Sequence, residues 1–209
     1  MFIQTSRTAL WFAFLFLSSS IYCGAKNAPP PAGMTISVYN DANVPTDVIA
    51  SAETTATRIF RQAGLEVKWL LCTPSPDPAG KTACTDVSFP GHLHVRILPR
   101  SRNLTSSTLG VSYLSADGIG CYTDIFFAPI ANLHAASGPE VGPILGHVIA
   151  HEVAHLLLGT NSHSERGIMR AQWQRQEVLS AYKGELLFTR EQSQIMSRRL
   201  SRAMLTAGD

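Results

Sequence analysis

The stretch from Ile144 to Met169 leaves this chain the least freedom. Apolar residues at Ile144, Leu145, Val148, Ile149, Val153, Leu156, Leu157 and Leu158 read as a buried helix, and His151, Glu152 and His155 lie inside it as HEVAH, the pattern HExxH. Positions i and i+4 share a helix face, with Cβ atoms roughly 5–6 Å apart. The imidazoles of His151 and His155 can therefore converge on one Zn²⁺, each at about 2.0–2.1 Å. Glu152 then stands beside the open coordination position, where a carboxylate can take a proton from the metal-bound water as a general base.

A catalytic zinc site takes three protein ligands and a water, so the chain after His155 has to supply one more. Gly159 is expected to end the helix, because a residue without Cβ can adopt the left-handed conformation that turns the chain back. His163 follows four residues later, and then Gly167-Ile168-Met169, a short apolar turn able to floor a metal site. A downstream carboxylate, Glu165, Glu177, Glu185 or Glu191, is the rival to His163 as third ligand. His147 lies one turn before His151 but about 12 Å along the axis from His155, too far to share the ion. A structural or supporting role is expected for it.

These residues resemble the metzincin metalloproteases, most closely their matrixin-like branch. The signature of that family is HExxHxxGxxH followed by a methionine turn, and this chain reads HEVAHLLLGTNSHS and then GIM. It is an HExxHxxxGxxxH variant: Gly159 falls one residue later, and His163 two residues later, than the strict spacing, so the loop between them has to bulge. The resemblance implies His151, His155 and His163 as ligands of one catalytic Zn²⁺, Glu152 as general base, Gly159 as the turn glycine and Met169 as the methionine beneath the metal. It implies an α+β, zincin-like catalytic domain, with a twisted mixed sheet, an antiparallel edge strand, the active-site helix and a C-terminal helix. The edge strand falls on Leu109, Gly110, Val111, Ser112, Tyr113 and Leu114. There an unpaired row of N–H and C=O groups would bind an extended peptide by strand addition. Ala171 stands where some metzincins have a tyrosine as an additional ligand, so none is expected. No cysteine-bearing segment of the propeptide kind precedes the domain, Cys23 falling in the stretch 1–25, so latency through a propeptide cysteine is not expected either.

The function implied is a secreted zinc endopeptidase that hydrolyses peptide bonds through a zinc-activated water. Two other classes stay open: a non-catalytic, zinc-stabilised binding domain, and a zinc hydrolase acting on a non-protein amide. Glu152 weighs against the first, since a structural site needs no base and is usually closed by four protein ligands.

The 209 residues suffice for one domain with a proper core. A formal net charge of +2, scattered along the chain, gives no footprint for nucleic acid, and a monomer is expected. Residues 1–25 read as a secretory signal, with Arg7 as the positive flank, Ala9 to Leu17 as the apolar run, and Cys23-Gly24-Ala25 at the cleavage positions. That run is short for a membrane span, so no stable membrane association is expected after cleavage, and the mature protein is placed outside the cell or in a periplasm. Residues 26–33 form a Pro-rich leader, and 34–209 the catalytic domain. In an oxidising compartment Cys72 and Cys84 are expected to pair, because they bracket a Pro-rich loop that gains from closure; Cys121 is then the odd one out, a buried thiol or an alternative partner for one of the other two. Asn103-Leu104-Thr105 is a glycosylation sequon that matters only in a eukaryotic secretory route.

Hydropathy periods predict strands at 35–39, 65–71, 92–98 and 108–114, and a longer one at 121–129. A helix is expected from Thr46, which is read as its cap, to Gly64. Residues 133–142 are read as an approach to the active-site helix from Pro143. Trp173 and the segment to Leu187 are expected to wall the primed side of the cleft. Thr189 and Gln192 make a capping box for a last helix to Leu205. His92 and His94 are read as packing or surface residues.

Overall fold

The computed structural model describes residues 32–72, 84–86, 89–138 and 140–206. The expected signal segment, the start of the leader and the loop between Cys72 and Cys84 lie outside the described residues.

Five strands form one mixed sheet in the order β2-β1-β3-β5-β4. They are β1 (Ala32–Asn40), β2 (Leu65–Cys72), β3 (His92–Leu98), β4 (Gly110–Tyr113) and β5 (Tyr122–Phe126). The first three and β5 pair in parallel, and β4 runs antiparallel to β5 at the edge. Five helices are described: α1 (Thr46–Gln62), α2 (Phe127–Ser137), α3 (Val141–Leu158), α4 (Arg175–Tyr182) and α5 (Arg190–Thr206). The architecture is the expected α+β one, with a mixed sheet, an antiparallel edge, a central helix and a C-terminal helix.

Alternation sorts the sheet into two faces. Ile36 and Val38 of β1, Leu93, Val95 and Ile97 of β3, and Ile125 of β5 are all within 1 % of full burial and join Ile49, Ala52, Ala56, Ile59 and Phe60 of α1 in the core. The other face carries His92, His94, Arg96 and Asp124. α3 is apolar nearly all round because it is buried nearly all round, from Gly142 to Leu157 with Pro143 the one interruption. It can approach α1 closely because Gly142 and Gly146 face that helix. A Cβ on Gly142 would lie 2.6 Å from Ser51 Oγ, and one on Gly146 would lie 2.5 Å from the Ala52 carbonyl oxygen.

Several boundaries differ from the sequence reading. Strand β5 stops at Phe126 rather than Pro129, and residues 127–137, expected as strand and then as approach, are helix α2. Pro129 is compatible with this because a proline in the first helical turn removes no intrahelical hydrogen bond. The edge strand is Gly110–Tyr113, shorter by Leu109 and Leu114. Thr46 is the first residue of α1 instead of its cap, and no side chain caps that helix. β1 begins at Ala32, two residues inside the segment read as leader. Before α5 the capping box is as expected, with Thr189 N–H donating to Gln192 Oε1 at 2.9 Å and Gln192 N–H to Thr189 Oγ1 at 3.2 Å.

Candidate metal centre

Helix α3 presents His151, Glu152 and His155 at 8, 6 and 4 % exposure. It ends at Gly159, whose φ of 70° is left-handed, with Gly159 N–H donating to the His155 carbonyl at 2.9 Å. The chain then turns back through Thr160 and Ser162, and this longer loop absorbs the extra spacing and brings His163 over the helix. The His163 ring centroid lies 5.3 Å from that of His151 and 4.9 Å from that of His155. One ring nitrogen from each of the three histidines falls within 4.8 Å of the others. None of Glu165, Glu177, Glu185 and Glu191 belongs to this group; Glu177 is engaged instead by Arg170 and by the Gln174 N–H.

Two backbone carbonyls fix the tautomers. His151 Nδ1 lies 2.7 Å from the Ile168 oxygen, and His155 Nδ1 lies 2.8 Å from the Thr160 oxygen. A carbonyl only accepts, so each Nδ1 carries the proton and each neutral ring leaves a bare lone pair on Nε2. Burial holds both rings neutral: it pushes His151 down to about 3, with His155 and His163 adding to the effect, and it lowers His155 and His163 as well. The two Nε2 atoms are 3.1 Å apart. With no proton between them this is no hydrogen bond but two lone pairs converging. Two nitrogens bound at about 2.05 Å in a tetrahedron are separated by about 3.3 Å, close to the same distance.

The Gly-Ile-Met turn supplies one of those carbonyls. Gly167 is left-handed at φ 76°, Ile168 and Met169 are buried, and the Met169 carbonyl accepts the Ser164 N–H at 2.8 Å, closing the loop that carries His163. Met169 is thus buried in the same turn whose Ile168 carbonyl holds His151. Glu152 points toward the edge strand, where Ser112 Oγ approaches its Oε2 at 2.7 Å and its carbonyl oxygen at 2.8 Å. Burial pushes Glu152 up to about 7, against the pull of the Ser112 hydroxyl. In the sequence Ser112 reads only as part of a backbone ledge. The one hint of more is a glycine and a serine alternating on the face of β4 that turns inward.

A cleft of about 750 Å³ opens beside His151, Glu152 and His163, with Leu109, Pro129, Val148 and Trp173 among its walls. Arg170, Gln172 and Gln174 also line it, so residues 170–174 form a wall, whereas the rest of the segment to Leu187, expected to share in it, is not among the lining residues. A second cavity of about 720 Å³, against Arg96, Arg100, Tyr113 and Asp124, contains none of the histidines of the cluster. His147 is fully buried, with Nδ1 2.8 Å from the Pro143 oxygen and Nε2 without a partner among the described residues, which suits a structural residue. His92 and His94 pack against each other, with His92 Nε2 2.8 Å from Ser37 Oγ and His94 Nε2 2.9 Å from the Asp86 oxygen. Cys72 and Cys84 form the expected disulfide, and Cys121 is a buried free thiol.

No family model and no curated protein matches the chain. Among solved structures it is similar to a zinc-dependent peptidase from Methanocorpusculum labreanum, at 11 % identity and a TM-score of 0.50, over 77 % of this chain and 99 % of that one. At that identity the likeness concerns the fold: a mixed α+β domain built like that of a zinc-dependent peptidase. Within it, three imidazoles bring one nitrogen each within 4.8 Å of the others, on the cleft that the buried Glu152 also lines.

Proposed function

We propose that this protein is a secreted zinc endopeptidase of metzincin type. The carrying observation is the convergence of His151, His155 and His163, two of them locked by Nδ1–H donation so that their lone pairs face one centre. Neutral nitrogen donors at that separation fit Zn²⁺, and three of them leave a position free. A structural zinc would call for a fourth protein ligand, and the cluster has three among the described residues.

Zinc held by these three residues would supply Lewis acidity, lowering the pKa of a coordinated water toward about 7 and polarising a carbonyl. Glu152 is the base that accepts the proton of the attacking water and delivers it to the leaving amine. The burial that raises this carboxyl to about 7 brings its proton affinity near neutral pH, as such a shuttle requires. The free edge of β4 borders the cleft, so an extended peptide can add to the sheet there while Leu109, Val148 and Trp173 meet its side chains. The disulfide fits an oxidising compartment, in line with an N-terminal secretory signal.

The test is metal analysis of the purified protein combined with cleavage of an unbiased peptide library. Glu152→Ala is expected to retain one zinc and lose turnover by two orders of magnitude or more, a range of about 10²–10⁴ being typical for a general base. His155→Ala should lose both metal and turnover. A Glu152→Ala protein that cuts like the wild type would refute the mechanism. Stoichiometric zinc with no peptide cleavage would favour the binding domain, or a different amide as substrate.

A further inference from the structure

The carboxyl of Glu152 is gripped by the strand expected to receive substrate. Strand β4 turns Gly110 and Ser112 toward α3, whereas Tyr113 is 51 % exposed and donates to Asp124 Oδ2 on the outer face at 2.8 Å. A Cβ at position 110 would lie 2.6 Å from Glu152 Cγ and 2.9 Å from its Oε1, so glycine there makes room for the glutamate to lie along the strand. Two residues on, the buried Ser112 hydroxyl sits 2.7 Å from Oε2 and 2.8 Å from the backbone oxygen of the same glutamate. Its other neighbour, Thr123 Oγ1 at 3.3 Å, spends its own proton on the Val111 oxygen at 2.9 Å.

A hydroxyl has one proton and two lone pairs. Ser112 can donate to the carboxylate, or donate to the Glu152 carbonyl while accepting from the carboxyl once it holds a proton. It thus has a partner at each end of a proton shuttle, and in both cases the carboxyl stays in one place. From this geometry we propose that Ser112 is a positioning residue: it orients the Glu152 carboxyl for proton transfer, acting only through that glutamate. The inference rests on Glu152 being the base of the proposed peptidase.

Kinetics of Ser112→Ala, Ser112→Thr and each change combined with Glu152→Gln test it, on zinc-loaded full-length protein. Ser112→Ala should lower kcat by about tenfold or more, a part of the general-base contribution, with KM and zinc content unchanged, and Ser112→Thr should restore most of the rate. In the Glu152→Gln background Ser112→Ala should cost nothing further, because two residues acting as a unit are not additive. A kcat within twofold of wild type, or an equal loss in the Glu152→Gln background, overturns the proposal. If Ser112→Ala does not fold, the near-isosteric Ser112→Cys, with its weak donor, is read in the same way. A crystal structure of Ser112→Ala supplies a readout independent of turnover: the Glu152 carboxyl should lose its single position, and finding it unmoved overturns the proposal. An inert wild type would refute the peptidase reading while leaving this structural outcome to be decided on its own.

Discussion

At the scale of single residues, the site depends on which ring nitrogens carry protons, and backbone carbonyls decide that for His151 and His155. His147, one turn earlier on α3, shows what the same helix does with an imidazole that lacks a shared centre. Its Nδ1–H is bonded to the Pro143 oxygen, its Nε2 has no partner among the described residues, and burial pushes its pKa down to about 4. The unfolded chain binds a proton on this ring below about pH 6.5, whereas the folded chain holds it neutral until about pH 4. Stability from a neutral buried histidine is therefore fully present above pH 6.5 and lost as pH falls toward 4. Over that window the loss is roughly 3 kcal/mol, because each pH step between the two values contributes about 1.4 kcal/mol. His147→Phe removes the titrating group while keeping an aromatic ring of similar bulk. In metal-free protein, the wild type should lose about 3 kcal/mol more than the variant between pH 7 and pH 4 by denaturant unfolding. Parallel pH curves for the two proteins would show that His147 is not held neutral.

At the scale of elements, the metal-site turn is fastened from the far end of the chain. Arg199 of α5 donates to the Gly118 carbonyl at 3.1 Å and lies over the Phe89 ring at 5.5 Å. It also fills the space above Gly159, where a Cβ would fall 1.8 Å from its Nη1. Gly118 in turn sits against Gly159, with a Cβ there 2.5 Å from the Gly159 oxygen. The next residue, Thr160, holds His155 by its carbonyl. Arg199→Ala should therefore destabilise the fold by about 1–3 kcal/mol, through an orphaned carbonyl and a lost cation–π contact. It should also weaken zinc retention against a chelator, as loosened supports of metal ligands do by about 10–100-fold. Gly159→Ala is expected to be at least as damaging, since its φ is left-handed and the guanidinium is in the way. Unchanged chelator resistance in Arg199→Ala would mean that the turn holds itself. None of this is legible in the sequence, because nothing beside Arg199 in the chain sets it apart from Arg198 and Arg202, and its partners lie far away along the chain. What is legible is local: the HExxH spacing, Gly159 as a stop, and the Thr189–Gln192 box each depend on neighbours within one helical turn. Helix α2 is hidden for a related reason. Its apolar start, Phe127-Ala128-Pro129-Ile130, continues the strand pattern, and the helix is supported by packing on α3 rather than by its own periodicity.

At the scale of the whole molecule, the sheet separates a stapled edge from the edge that borders the candidate site. Cys72 ends β2 and β4 lies at the opposite side, four strand spacings away, roughly 19 Å. The disulfide holds the segment containing Cys84 and Asp86 against the polar face of β1 and β3. There Tyr39 donates to the Cys84 oxygen, and Asp86 meets both His92 and His94. This cover explains why two histidines on the face away from the hydrophobic core are nonetheless 5 and 2 % exposed. Opening the bridge frees a loop closed over a sequence separation of 12, worth about 3 kcal/mol by loop-closure entropy. It also exposes the stacked rings to water. The cleft with His151, Glu152 and His163 is bordered by Gly110 of β4, at the opposite edge of the sheet from the bridge at the end of β2. The double change Cys72→Ser with Cys84→Ser should therefore lower unfolding stability by about 3 kcal/mol. Zinc stoichiometry and peptide turnover at 25 °C should meanwhile stay at wild-type values, as long as the protein remains folded. Denaturant midpoints and turnover measured on the same preparation give both numbers. A variant that keeps its stability but loses turnover would show that the two edges of the sheet are coupled, contrary to a staple and a site that act independently.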